Sequence, residues 1–109
     1  MNLIIKGAIS VETEFGEKIN SRIVELLRVI EETGSLNEAV KELEMSYSYA
    51  WNTLYKLNCQ LTQPLVVMQR GGKGGGEAVL TENGKKLLTQ YEQLKKDFVQ
   101  FMKEHTVEL

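Results

Sequence analysis

Val66-Val67-Met68-Gln69-Arg70-Gly71-Gly72-Lys73-Gly74-Gly75-Gly76-Glu77-Ala78-Val79-Leu80 is the stretch that decides how this chain is read. Two short β-prone segments flank a glycine-rich basic loop, the pattern of a hairpin over about 66–80. Glycine takes positive φ freely and lets a backbone lie close to a surface. Arg70 and Lys73 put positive charge at that tip. A nucleotide-binding loop is the competing reading, and it fails. Gly71–Gly76 lacks the G-x-x-x-x-G-K-[ST] spacing, and a hairpin rather than a helix is expected there.

Immediately upstream, Ser35 to Leu61 reads as two helices around a tight turn. Ser35 is an N-cap and Glu38 completes a capping box, so a helix of about Leu36–Leu43 buries Leu36, Ala39, Val40 and Leu43. Glu44 and Met45 turn the chain. Ser46 caps the next helix, about 46–60, on which Ala50, Leu54, Leu57 and Leu61 recur at helical spacing. Two helices and a basic hairpin predict a mainly α fold with a small β-hairpin (α+β), a winged helix-turn-helix. Residues 1–109 are expected to form a single domain of this kind.

Further out, Ile9, Val11, Thr13 and Phe15 alternate as in a half-buried strand that Gly16 ends. A helix then fits Glu17–Glu32, with Gly34 as its stop. Thr81 caps a last, dimerisation helix of about 81–107, whose stretch from Glu82 to about His105 is roughly 35 Å long at 1.5 Å per residue. On it Leu87, Tyr91, Leu94, Phe98, Phe101 and His105 are spaced 4-3-4-3-4, the interval of a helix that packs along another. Leu87, Tyr91, Leu94, Phe98 and Phe101 are therefore expected to form a homodimer seam. His105 is expected to be exposed and no metal ligand.

The composition, 42% hydrophobic and 26% charged, is ordinary for a globular protein. No apolar stretch nears the roughly 18–20 residues that span a bilayer, so no membrane is expected. A single cysteine, Cys59, allows no internal disulfide and suits a reducing cytoplasm; it reads as a small buried hydrophobe. The net charge of −2 is unevenly spread. Met45 to Gly76 holds Lys56, Arg70 and Lys73 and no acid, while both flanks are acidic. DNA feels the local field, screened within ~8 Å at physiological salt, more than the total. No cluster has metal-ligand spacing and no nucleophile–base set is visible, which argues against an enzyme and against a cofactor.

At Gly34-Ser35-Leu36-Asn37-Glu38-Ala39-Val40, Met45-Ser46-Tyr47-Ser48-Tyr49-Ala50-Trp51, Gly71–Gly76 and Leu80-Thr81-Glu82-Asn83-Gly84, the chain resembles a known family. It is similar to the N-terminal DNA-binding domain of the molybdate-dependent regulator ModE, a relative of the LysR-type winged helix. The likeness runs from about Leu3 to His105. It implies binding to double-stranded DNA and dimerisation. ModE proteins carry molybdate-binding domains after the winged helix, and nothing follows Leu109 here to form one. Molybdate is therefore not expected to bind or to alter DNA binding.

In a helix-turn-helix the second helix enters the major groove, and its N-terminal residues reach base edges. The candidate DNA-binding residues are Ser35, Ser46, Tyr47, Ser48, Tyr49, Asn52, Lys56, Arg70 and Lys73. Asn can bond adenine bidentately, and hydroxyls can donate to phosphates or bases. Tyr47 and Trp51 lie one turn apart beside the apolar stripe, a placement that also suits packing. The expected function is sequence-specific transcriptional regulation by a cytoplasmic dimer. The rivals are a non-specific architectural DNA binder and a protein-interaction module that keeps the winged-helix fold.

Overall fold

Helix α1, Ser21–Thr33, is the centre of the molecule. Ile23, Val24, Leu26, Leu27, Val29 and Ile30 leave water on its inner side, and four of them are at most 1% exposed. Asn20 starts the helix by accepting a hydrogen bond from the Ile23 amide at 3.1 Å. Gly34 ends it at φ 69°, its N–H reaching Ile30 O at 2.8 Å, a left-handed cap that favours glycine. The structure, a computed structural model, describes residues 1–69 and 77–109. Arg70, Lys73 and the glycine run Gly71–Gly76 lie outside the described residues.

Helix α2, Leu36–Glu42, packs against α1, and α3, Tyr47–Gln60, packs against α2. Ser35 Oγ accepts from the Glu38 amide at 3.2 Å, and Ser46 Oγ accepts from the Tyr49 amide at 3.3 Å. Between the helices Glu44 takes φ 52°, and the Met45 amide returns to Val40 O at 2.8 Å. Leu36, Ala39, Ala50, Leu54 and Leu57 are fully buried.

Strands β4, Val66–Met68, and β5, Ala78–Leu80, pair antiparallel with Val66 opposite Leu80 and Met68 opposite Ala78. The two-residue period puts Val66, Ala78 and Leu80 into the core and leaves Val67 and Val79 outside. A bridge between Ser35 and Glu77, with the Ala78 amide bonded to Gly34 O at 3.1 Å, ties the hairpin to the start of α2.

Helix α4, Glu82–Glu104, follows at once. Thr81 Oγ1 accepts from the Gly84 amide at 3.0 Å and donates to Pro64 O at 2.6 Å. Arg28 on α1 pairs with Glu92 on α4 at 3.1 Å. The helix outruns the core it docks on. The radius of gyration is 16.6 Å, against roughly 13 Å for a compact domain of about 100 residues.

Several expectations change at the N-terminal end. The strand expected over residues 9–15 pairs only as β2, Val11–Glu12, with β3, Lys18–Ile19. Gly16 at φ 88° turns the chain, and Thr13 Oγ1 accepts from the amides of Phe15 and Glu17 inside the turn. Phe15 is consequently 73% exposed rather than buried. Because Lys18–Ile19 is a strand and Asn20 is the cap, α1 begins at Ser21, not Glu17. At the other end α4 stops at Glu104, and β6, Thr106–Glu108, pairs antiparallel with β1, Asn2–Ile4.

Candidate nucleic-acid interface

The outer surface of α3 is polar for the same reason that its inner surface is buried: one helical face serves the core and the rest is left over. Ser48, Asn52, Tyr55 and Cys59 recur at helical spacing and are all exposed, with Tyr49 and Lys56 beside them. Tyr55, 60% exposed, was not among the expected contacts. Its place seven residues after Ser48 was the available signal. Cys59 ends the same stripe, so the expectation of a buried thiol is corrected: it is exposed.

Tyr47 is half-buried, packs on the core and stacks on Trp51 at a centroid distance of 6.3 Å. Its ring is a packing element, which takes it out of the exposed stripe. Ser35 and Ser46 spend an oxygen lone pair on their own helices. Each hydroxyl keeps a hydrogen that an external acceptor could take.

Lys56 Nζ lies 3.3 Å from Glu17 Oε2, with 62% of the lysine side chain still exposed. The glutamate is only 25% exposed, so the lysine end of the pair is the one that faces solvent. The β2–β3 turn is fixed beside α3 by a second contact, Thr13 Oγ1 donating to Gln60 Oε1.

Asn58, also on α3, locks the helix to the hairpin. Its Nδ2 donates to Val66 O at 2.8 Å, and its Oδ1 accepts from the Leu65 amide at 2.8 Å. Neither helix pattern nor strand pattern marks this residue. A side chain bonding both sides of a strand entry leaves no periodic trace.

The expected dimer seam is divided by the fold. Tyr91 is 4% exposed, and its hydroxyl donates to Ile9 O at 3.4 Å. Leu87 packs on the core. The Phe98 ring lies over Gly7, where an added Cβ would come within 3.3 Å of it. Tyr91, Leu87 and Phe98 therefore serve their own chain. Leu94 and Phe101, 49% and 48% exposed, remain open. His105 is exposed and stacks on Phe101 at 4.2 Å.

Among the described residues no group of three or more His, Cys, Asp or Glu is placed to hold a metal ion. No described helix is long and apolar enough to cross a membrane.

Known proteins place the chain next. ModE of Azotobacter vinelandii, named a molybdenum transport protein, is 34% identical over 89 residues, 82% of this chain and 33% of its own length. MopB of Rhodobacter capsulatus, a molybdenum-pterin-binding protein, is 41% identical over 76 residues, 70% of this chain and 28% of its own. The ModE of Escherichia coli K12, named a DNA-binding transcriptional dual regulator, is 38% identical over 73 residues, 67% of this chain and 28% of its own. ModE and MopB are homologues of this chain. It spans about a third of their length. No protein-family model matches it.

These relatives are named for regulation, transport or molybdenum-pterin binding, and none of the three for an enzyme activity. One expectation is overturned here. The expectation that molybdate does not bind is corrected by relatives that align with these residues and carry molybdenum in their names.

Proposed function

We propose that this protein is a dimeric, sequence-specific transcriptional regulator built as a winged helix-turn-helix. In this reading α3 enters the major groove and the β4–β5 hairpin meets the DNA backbone or minor groove. The observation that carries it is the stripe Ser48, Asn52 and Tyr55, with Tyr49 and Lys56 alongside, on a helix whose other face is fixed in the core. Transcriptional regulators among the homologues support the same reading. Asn52 is the base reader, through paired bonds to adenine, while Lys56 turns its solvent-facing end to a phosphate. Leu94 and Phe101 on α4 join two copies, so that two reading helices face two half-sites.

Asn52→Ala is expected to lower affinity for the selected operator by about 10- to 100-fold, while scrambled duplex is bound as before. Operators selected from random duplexes by the purified protein supply the substrate, and fluorescence anisotropy measures both affinities. Equal losses on operator and scrambled DNA would instead describe an architectural binder.

The relatives' names favour molybdenum as the signal such a regulator answers. Molybdate titrated to millimolar concentration is expected to give saturable heat and to shift the operator titration. A flat calorimetric trace with an unmoved titration would remove this effector from the proposal.

A further inference from the structure

Lys56 is the one charged residue of α3, and it does not hang free. Glu17 holds its Nζ, and the glutamate stands on a fixed base. The Glu17 amide donates to Thr13 Oγ1 at 3.2 Å, and the Glu17 carbonyl accepts from the Thr13 amide at 2.9 Å. The Thr13 hydroxyl in turn donates to Gln60 Oε1 on α3 itself. Thr13 is buried, so water competes little for these bonds. The turn between β2 and β3 is thereby fastened to α3 about one helical turn past the lysine that its carboxylate holds.

A lysine carries three donor hydrogens on a flexible four-carbon stem. Left free, it meets a phosphate in almost any register along a duplex. Tethered through one hydrogen, it offers the other two from one place. Lys56 follows Asn52 by four residues, so the two are neighbours on one side of the helix, roughly 6 Å apart along its axis.

We propose that Glu17 is a positioning residue for DNA recognition: by holding Lys56, it lets that lysine reach a phosphate only in the register in which Asn52 faces its base. The proposal rests on the DNA-binding reading above and adds a residue that lies outside α3 and touches no DNA. Nonspecific binding consists almost wholly of neutralised phosphates, so a lysine that serves one register withholds attraction from all the others. A protein selected only for affinity gains nothing from an acid beside the single charge of its reading helix. One that must tell operator from bulk DNA does.

The test uses the 109-residue chain with the selected operator and its scrambled duplex, titrated by fluorescence anisotropy at about 50 to 200 mM salt. Glu17→Ala is expected to tighten binding to scrambled duplex at least ~3-fold and to steepen its salt slope by ~1 per protomer. The operator-to-scrambled ratio should fall by at least ~3-fold. Glu17→Asp, which keeps the charge and shortens the reach, should lower the ratio as well. In a Lys56→Met background, Glu17→Ala should leave the ratio where Lys56→Met alone puts it. Should Glu17→Ala unseat the turn, the aspartate variant decides alone. An equal gain on both duplexes, a gain that survives in the Lys56→Met background, or an aspartate variant with the parent's ratio would make Glu17 a plain repelling charge. Each of these, like an alanine variant without effect, would overturn the tether and leave α3 as the reader. A parent that binds both duplexes alike, or neither, would instead strike the DNA reading on which the tether rests.

Discussion

Gly84→Ala is expected to cost this protein about 3 kcal/mol or more, at the upper end of what overpacking a core does. A Cβ built on Gly84 would sit 2.2 Å from Leu65 O and 2.9 Å from Leu80 Cγ. The leucine tip can rotate away, but the carbonyl cannot. Leu65 O already accepts at 3.0 Å from the amide of Thr81, the residue that caps the first turn of α4. Moving the carbonyl therefore unseats the cap of the longest helix. A melting temperature lower by ~12 °C or more should follow in a domain of this size, read by circular dichroism. Gly7→Ala is the control. There the nearest atom is the edge of the Phe98 ring at 3.3 Å, at the end of a flexible side chain. If both variants melted within ~2 °C of the parent, about half a kcal/mol or less in a domain of this size, the packing of α4 on Leu65 would be wrong.

Leu94→Asp is expected to convert dimers to monomers and to cut operator affinity sharply. Leu94 is half exposed in the single chain, so the change should leave the fold within about 0.5 kcal/mol of the parent. In a two-fold dimer the substitution acts twice, and a buried unpaired carboxylate costs more than a lost methyl group. A rise in dimer Kd of at least ~100-fold follows if each copy loses about 1.4 kcal/mol. Monomers hold one half-site, so the operator titration should shift with the dimer Kd and depend on protein concentration. Sedimentation equilibrium and the DNA titration together decide it. An unchanged dimer would remove α4 from the interface.

What the sequence disclosed and what it hid divide along one physical line. Local chemistry was legible. The caps at Ser35, Ser46 and Thr81 and the left-handed stop at Gly34 stand where side-chain chemistry placed them. Long-range pairing was not. Leu3 and Val107 meet across nearly the whole chain, and nothing near either residue names the other. The start of α1 was misplaced because Ile19 fits the helical stripe equally well from a strand. Heptad spacing on α4 showed that the helix packs along something without saying what. Tyr91 and Phe98 found their own N-terminal segment, and Leu94 and Phe101 were left over. On α3 the exposed stripe was half legible: Ser48 and Asn52 stood out, but Tyr55 reads like any aromatic near a core.

The Asn58 amide has a bearing on how such a protein could be retargeted. By donating to Val66 O and accepting from the Leu65 amide, it makes α3 and the hairpin one interchangeable part. A graft that imports a foreign α3 must carry an asparagine at this position, or the hairpin arrives at a new angle. Aspartate, nearly the same shape, will not serve, because it has no hydrogen to offer Val66 O and would set charge against a carbonyl. On the proposed reading the outer face of α3 sets the target and can vary, whereas Asn58 holds helix and hairpin together.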